Sequence, residues 1–251
     1  MGNLLNLKIA NLRSRLADRW LDFKPYIQTL PVGQPALRFF HATSQSTDWY
    51  DPLGAHLIAE FNWVQQHLGG NDENIIDAGA FHGLYAMVMA DAAGSNSRIV
   101  AVDPVASNGA IMEANFALND LRIETIKAAV STNNASQQFT NESCGRLSSS
   151  GSLHVDCMTL PQIMSDATVV KMDIEGAEFS VLPAQIDKMQ QVHTWIVEIH
   201  HAYSATPESI LELFHSRGFE LLSLNRKTAQ VKSVDDRKSW TDRTSLIAVR
   251  R

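Results

Sequence analysis

The densest group of polar side chains follows residues 169–172, an apolar run with the pattern of a buried strand. Asp173, Glu175 and Glu178 all lie within the next six residues. Carboxylates at a buried strand end are costly unless they bind a ligand, take up a proton or stabilise a helix N-terminus. Both a functional site and an ordinary helix start are therefore open for this segment.

An acid and two imidazoles come at the end of a second apolar run, residues 195–199. Strand alternation predicts that Glu198 and His200 share one face and that His201 points the other way. Near Asp173, these side chains are candidate proton acceptors for a substrate hydroxyl. Asp173, Glu198 and His200 would also suit several metals as mixed oxygen and nitrogen ligands, but spacing alone does not establish a metal and we expect none.

A short apolar run also leads into Asp77 and a turn with two glycines, Gly79 and Gly83, that opens a helix. Glycine lets a ligand approach the backbone closely. A dinucleotide fingerprint needs a middle glycine where Phe81 stands, and Asp77 would repel a pyrophosphate. A carboxylate there suits an ammonium group, so the segment favours S-adenosylmethionine over NAD; a merely structural strand-turn-helix is the alternative.

Asp103 ends the next apolar run, 26 residues after Asp77, and precedes Pro104. A carboxylate in this place accepts hydrogen bonds from ribose hydroxyls in nucleotide-binding sheets. The ordinary alternative is an N-cap for a helix starting near Ser107, and both roles are compatible.

The elements that must position these residues alternate along the chain. Strand-like runs fall at residues 75–76, 99–102, 123–126, 169–172, 195–199, 219–224 and 246–249, and helix-like segments at 83–93, 107–119, 177–188 and 207–217. This alternation predicts a parallel sheet with helices on both faces, and residues 131–152 read as a loop or weak extended structure over it. We expect a methyltransferase-sized α/β domain over residues 71–251.

Residues 1–70 are predicted to form an N-terminal extension. It contains a Leu-rich helix over residues 4–22, an irregular Pro-rich stretch with short extended pieces over 24–53, and a helix over 53–68 that stops at Gly69 and Gly70. The first helix could pack on the main domain or on a second subunit, so a homodimer is open.

Composition excludes several classes of protein. The 251 residues carry a formal net charge of −6, which disfavours general binding to nucleic-acid backbones. No apolar run approaches the roughly 20 residues that cross a bilayer, and two cysteines, Cys144 and Cys157, make neither a disulfide framework nor a four-cysteine zinc site. We expect a cytoplasmic protein without a membrane span.

In this order, the segments resemble the FkbM-type family of S-adenosylmethionine-dependent methyltransferases over roughly residues 55–225. The matching motifs are Asp77-x-Gly79-Ala80-x-x-Gly83, Asp103-Pro104, Asn115-x-x-x-Asn119, Lys171-x-Asp173-x-Glu175-Gly176-Ala177-Glu178 and Val197-Glu198-Ile199-His200. The run that begins with Lys171 is the most specific. Family members often carry Asn in place of Phe81 and Glu-Pro in place of Asp103-Pro104.

The resemblance implies a class I methyltransferase, Rossmann-like α/β fold, with a mostly parallel seven-stranded sheet whose last strand is antiparallel. It also implies S-adenosylmethionine as cofactor and a hydroxyl of a sugar, glycan or polyketide-like molecule as acceptor. The implied cofactor-binding residues are Asp77, Gly79, Ala80, Phe81, Gly83, Asp103, Pro104, Ala129 and Asp173. The candidate catalytic residues are Asp173, His200 and Glu198, with His200 or Asp173 as base, and the candidate substrate-binding residues are Glu175, Glu178 and His201.

Three alternatives stay open. An NAD(P)-dependent oxidoreductase is disfavoured by Phe81 and Asp77, and a non-catalytic binding module by the three intact acids Asp77, Asp103 and Asp173. An N-methyltransferase is disfavoured because Ile174 and Glu175 follow Asp173, where an Asn-Pro-Pro-Tyr type of strand end would be expected.

Overall fold

The computed structural model describes residues 23–140, 145–204, 206, 208–225, 229–234 and 245–250. The helix predicted over residues 4–22 and Cys144 lie outside the described residues. Among the helices of the described ranges, none is both long enough and apolar enough to span a lipid bilayer.

Strands and helices alternate through the central part of the chain. The strands are β1 (Tyr26–Thr29), β2 (Arg38–His41), β3 (Asn74–Ala78), β4 (Arg98–Val102), β5 (Glu124–Ile126), β6 (Ala129–Val130), β7 (Gln137–Thr140), β8 (Arg146–Leu147), β9 (Leu153–Val155), β10 (Cys157–Met158), β11 (Val169–Met172), β12 (Thr194–Glu198), β13 (Glu220–Asn225), β14 (Gln230–Ser233) and β15 (Ser245–Val249). The helices are α1 (Ser44–Tyr50), α2 (Ala55–Leu68), α3 (Leu84–Ala92), α4 (Ala106–Leu118), α5 (Leu160–Ile163), α6 (Glu178–Gln185) and α7 (Ser209–His215), with 3₁₀ turns at Ile186–Lys188 and His201–Tyr203.

The main sheet has the order β14-β13-β15-β12-β11-β3-β4-β5 within the described residues. The neighbours from β5 to β12 pair in parallel, and β15 is antiparallel to both β12 and β13. The predicted class I methyltransferase fold is thus confirmed. Chain order reverses between β3 and β11, and at such a switch point the carboxyl ends of parallel strands leave a crevice for ligands.

Both faces of the sheet are buried under helices. Ile75 of β3 belongs to the core layer that contains Phe61 of α2, whereas Ile76 belongs to the layer that contains Leu182 of α6 and Phe214 of α7. Successive strand side chains point to opposite faces, so a strand covered on both sides must be a continuous apolar run. Each such side chain stabilises the fold by about 1.5–3 kcal/mol through burial.

The end of α2 follows its sequence signal. Gly69 has a left-handed φ of 55°, and its N–H donates to the carbonyl of Gln65 at 3.1 Å, which closes the last turn. The predicted stop at Gly69 is confirmed.

Three segments differ from the sequence expectations. Residues 44–50 form α1, where an irregular stretch was expected; Thr43 caps it by accepting a hydrogen bond from the Ser46 N–H at 3.3 Å. The polar residues 137–155 form a three-stranded antiparallel sheet, β8-β7-β9. An eighth strand, β14, adds an edge to the main sheet; its mostly exposed sequence carries no apolar run to predict it.

Candidate active site

The turn after β3 is held by backbone geometry. Gly79 and Gly83 have φ values of 79° and 83°, a region that favours glycine. The N–H groups of Gly79 and Ala80 both donate to the Val102 carbonyl at the end of β4, at 2.9 and 3.0 Å. A Cβ on Gly79 would lie 1.8 Å from the carbonyl oxygen of Asp173. The chain's own backbone therefore requires this glycine, in addition to any ligand.

Asp103 braces this turn from the neighbouring strand. Its Oδ2 accepts a hydrogen bond from the Phe81 N–H at 3.2 Å, and its Oδ1 accepts from the N–H of Val105 at 2.8 Å and from Asn108 Nδ2 at 3.0 Å. Burial raises the pKa of Asp103 to about 6, and these hydrogen bonds limit the rise. The N-cap position of α4 belongs to Val105, so the expected N-cap role of Asp103 is wrong; it bonds the N-cap backbone instead.

A buried charged group lies beneath the turn, and we call Asp77, Lys171, Glu198 and Glu60 the Lys171 group. Lys171 Nζ is 3.6 Å from Asp77 Oδ1 and 3.6 Å from Asp173 Oδ2, and the Asp77 side chain is fully buried. Burial alone would lower the pKa of Lys171, but the surrounding carboxylates raise it above its ordinary value. Burial raises the pKa of Asp77, against the effect of Lys171.

Two members of the Lys171 group come from distant parts of the chain. Glu60, on α2, accepts a hydrogen bond from Ser245 Oγ at 2.8 Å, and burial raises its pKa to about 7. Tyr85 closes the group on one side, since Lys171 Nζ lies 4.7 Å from the centre of its ring. Sequence reasoning set Glu60 aside as a surface residue and did not identify Lys171 and Tyr85 as parts of one buried group.

A second charged group, Asp173, Glu175, Glu178 and His200, lies beyond the ends of β11 and β12, and we call it the His200 group. Glu178 Oε1 accepts hydrogen bonds from the His200 backbone N–H at 2.8 Å and from Nδ1 at 3.1 Å. Nε2 of His200 faces Glu175 Oε2 at 3.3 Å and Asp173 Oδ1 at 3.6 Å. The structure thus brings together four residues that the sequence predicted for the site.

The charge of His200 follows from these neighbours. Burial alone would lower its pKa, but the hydrogen bond to Glu178 and the charges of Asp173 and Glu175 raise it to about 10. His200 is therefore an imidazolium at neutral pH, with no free nitrogen to accept a proton. Glu198, expected on the same face, acts on the Lys171 group instead, because strand β12 ends at Glu198 and His200 turns toward α6.

Asn115 joins the turn to the N-terminal hairpin. Its Nδ2 donates to the His82 carbonyl at 3.0 Å, and its Oδ1 accepts from the Phe40 N–H at 2.7 Å. Asn119, one helical turn later, bonds both backbone groups of Arg38, at 2.8 and 2.7 Å. This pair of asparagines fastens β2 to α4.

Aromatic side chains from α1 reach the same edge of the sheet. Trp49 is 4.7 Å from Phe81 between ring centres, and Phe81 stacks on His82 at 3.7 Å. Burial and the charges of Asp173, Asp77 and Glu198 raise the pKa of Tyr50, which places this phenol beside both charged groups. Trp49 and Tyr50 were only weak candidates from sequence, because helix α1 has no apolar periodicity to announce it.

The remaining predicted residues lie around this edge. Pro104 is partly exposed in the bend before α4, and His201 opens the 3₁₀ turn His201–Tyr203. Ala129 lies in β6, which pairs with β10 outside the main sheet, and its N–H donates to the Asp156 carbonyl at 2.8 Å.

Comparison with known proteins agrees with this architecture. The profile of the methyltransferase FkbM domain matches residues 77–221, more than half of the chain. None of the curated proteins matches the chain significantly.

Solved structures share the fold at low sequence identity. The SAM-dependent methyltransferase from Agrobacterium tumefaciens has a TM-score of 0.53 at 13% identity, over 90% of this chain and 69% of that chain. A putative rRNA-methylase from Clostridium thermocellum has a TM-score of 0.49 at 12% identity, over 77% and 94%. The O-methyltransferase from Bacillus cereus, solved in complex with SAH, has 0.46 at 12% identity, over 82% and 96%. With its own motifs and the FkbM domain match together, the chain belongs to the FkbM-type family of S-adenosylmethionine-dependent methyltransferases.

Proposed function

We propose that this methyltransferase acts on a hydroxyl group of a sugar, glycan or polyketide-like acceptor. The observation that carries the proposal is the position of Asp173. Its backbone touches the turn at Gly79, while its side chain remains 28% exposed at the carboxyl edge of the sheet. A carboxylate in this place can meet both the cofactor's reactive end and an acceptor.

The residues present fit S-adenosylmethionine better than a dinucleotide. When bound, this cofactor supplies an activated methyl group on a sulfonium sulfur. Asp77, Asp173 and Glu198 surround a single lysine, Lys171, so the edge has an excess of carboxylates that complements a cation. At the turn itself, Phe81 occupies the position where a pyrophosphate would need glycine.

Asp103 is the proposed ribose partner. Its carboxylate already fixes the Phe81 and Val105 backbone, and it retains lone pairs for hydroxyl donors. Gly79, Ala80 and Gly83 shape the turn against which the nucleoside would lie. This assignment keeps the role that the sequence predicted for Asp103.

Asp173 is the proposed proton acceptor. As the acceptor oxygen bonds to the methyl carbon, its hydroxyl proton passes to the Asp173 carboxylate. His200 is held as an imidazolium, so we assign it to the positioning of Asp173 and Glu175 rather than to proton abstraction. Alignment of the acceptor oxygen with the methyl carbon supplies most of the remaining rate enhancement.

Two exposed aromatic side chains flank this edge and suit an acceptor with apolar faces. Trp49 is 37% exposed beside Phe81, and Tyr203 is 45% exposed beside Gly176 and His200. Large aromatic surfaces combined with a few polar groups are typical of small-molecule sites. Glu175, Glu178 and His201 are the polar groups proposed on the acceptor side.

The test is transfer of a ¹³C-labelled methyl group to a panel of sugars, glycosides and polyketide-like alcohols, each paired with its amine analogue. NMR of the product distinguishes O-methyl from N-methyl carbons. We expect O-methylation, and an Asp173→Asn variant with kcat lowered about 100-fold or more. Exclusive N-methylation, or full activity in Asp173→Asn, would contradict the proposal; Glu124→Gln, an exposed acid of β5, is the matched control.

A further inference from the structure

The His200 group has the form of a ligand set with its supporting partner. The side chain of Glu178 is fully buried, and its Oε2 accepts a hydrogen bond from the Gly176 N–H at 2.8 Å. Its other oxygen, Oε1, accepts from the backbone N–H and Nδ1 of His200. An ionised carboxylate only accepts hydrogen bonds, so Nδ1 carries the proton of this contact and Nε2 points away from Glu178.

Nε2 points at two carboxylate oxygens. Glu175 Oε2 and Asp173 Oδ1 lie 3.3 and 3.6 Å from it, and these ligand atoms all lie within 4.8 Å of one another. Ligands bound at about 2.0–2.2 Å to one ion are about 3–4 Å apart, so only small side-chain rotations separate the three atoms from a shared ion.

Asp173 divides its two oxygens between different partners. Oδ2 lies toward Lys171, whereas Oδ1 is buried and has no hydrogen-bond partner within the described residues. A buried carboxylate oxygen without a hydrogen bond is unfavourable unless a cation compensates it. The side chains of Asp173, Glu175 and His200 are 28%, 20% and 16% exposed, so an ion can enter from solvent.

We propose that Asp173, Glu175 and His200 bind one divalent cation, with Glu178 as the carboxylate that orients the histidine. Two carboxylate oxygens and one imidazole nitrogen suit Mn²⁺ and similar first-row ions, and a histidine that donates its other N–H to a carboxylate is the usual outer partner of a metal ligand. The ligand set differs from the one considered from sequence, because Glu175 takes the place of Glu198. Three protein ligands leave coordination positions open for water or an acceptor.

Binding of the ion is independent of the proposed function, whereas its catalytic use rests on it. An acceptor hydroxyl that binds at an open position would lose its proton more easily, because a bound cation lowers the pKa of a coordinated oxygen.

The test is a titration of the full chain, first freed of metal with EDTA, with Mn²⁺ followed by electron paramagnetic resonance of the free ion. We expect one ion per chain. Glu175→Gln should weaken binding at least about tenfold, and Glu178→Gln by about 10–100-fold through loss of the histidine's orientation. Glu124→Gln, the control, should bind as the wild type does; circular dichroism checks that each variant is folded, with Glu175→Asn as the second variant because Asn suits the φ of 53° at this position.

Binding of S-adenosylhomocysteine to the same samples, measured by calorimetry, separates the two proposals. No Mn²⁺ binding, or equal binding by wild type and a folded Glu175 variant, would overturn the metal site while cofactor binding persists. Mn²⁺ binding without S-adenosylhomocysteine binding would instead contradict the proposed function and support the site.

Discussion

Gly79 and Asp173 meet backbone to backbone at the carboxyl edge of the sheet. A Cβ on Gly79 would stand 1.8 Å from the Asp173 carbonyl oxygen, and the Asp173 N–H donates to the Ala78 carbonyl at 2.9 Å. The glycine turn after β3 and the acidic run after β11 therefore form one unit. A displacement of either would move both the cofactor turn and the proposed proton acceptor.

Gly79→Ala should destabilise the protein far more than an ordinary glycine replacement. The added methyl group would collide with a backbone carbonyl that cannot rotate away, so we expect a loss of more than about 3 kcal/mol in the free energy of unfolding. Urea denaturation measures it.

Gly70→Ala is the matched control for that substitution. Gly70 has a φ of 80°, close to the 79° of Gly79, but a Cβ there would have nothing within 4 Å. Only the cost of the left-handed conformation remains, about 1–2 kcal/mol. Equal losses in the two variants would show that the contact with Asp173 contributes nothing.

Asn115→Ala should lower the free energy of unfolding by about 2–4 kcal/mol, because it leaves the Phe40 N–H and the His82 carbonyl without their partner. Asn119→Ala removes an equal number of bonds to Arg38 in a more exposed place, where water can replace them, and should cost less than about 1.5 kcal/mol. Chemical denaturation of both variants checks the order. A smaller loss for Asn115→Ala would contradict the link between the hairpin and the turn.

Glu60 should make stability fall with rising pH between about 4.5 and 7. Its pKa is about 7 in the folded protein and 4.5 ordinarily, so the folded state binds more protons in this window, and ionisation of the buried acid destabilises it. Glu60→Gln keeps an acceptor for Ser245 and removes the titration. The free energy of unfolding of the variant relative to wild type should therefore increase from about pH 5 to about pH 8, and a constant difference would be inconsistent with a raised pKa.

Asp103→Ala should weaken S-adenosylhomocysteine binding by about 5–150-fold, which corresponds to about 1–3 kcal/mol for unpaired partner groups. Asp103 acts twice, through the proposed ribose contact and through the Phe81 N–H. Calorimetry gives the dissociation constant for the variant and for Glu124→Gln as control. Unchanged affinity would remove Asp103 from the cofactor site.

The strands and helices that carry the site were predictable because their signals are local. The runs 169–172 and 195–199 are continuous apolar segments followed by acids, and Gly69 ends α2 where the sequence indicated. These patterns depend on residues near one another in the chain.

The charges of the site were not predictable, because they depend on partners far apart in the sequence. Glu60 bonds Ser245, 185 positions away, and becomes a buried acid rather than a surface one. His200 was expected beside Glu198, two residues earlier, but pairs with Glu178, 22 positions away. That contact changes His200 from a candidate base into an imidazolium.

Calorimetric titration of the purified protein with S-adenosylhomocysteine, with NAD and NADP in parallel, tests most directly whether the turn after β3 holds the methyl donor. We predict saturable binding of one S-adenosylhomocysteine per chain and no heat from either dinucleotide. Binding of NAD or NADP in its place would contradict the cofactor site derived from Asp77, Phe81 and Asp103, and so would the absence of binding by all three.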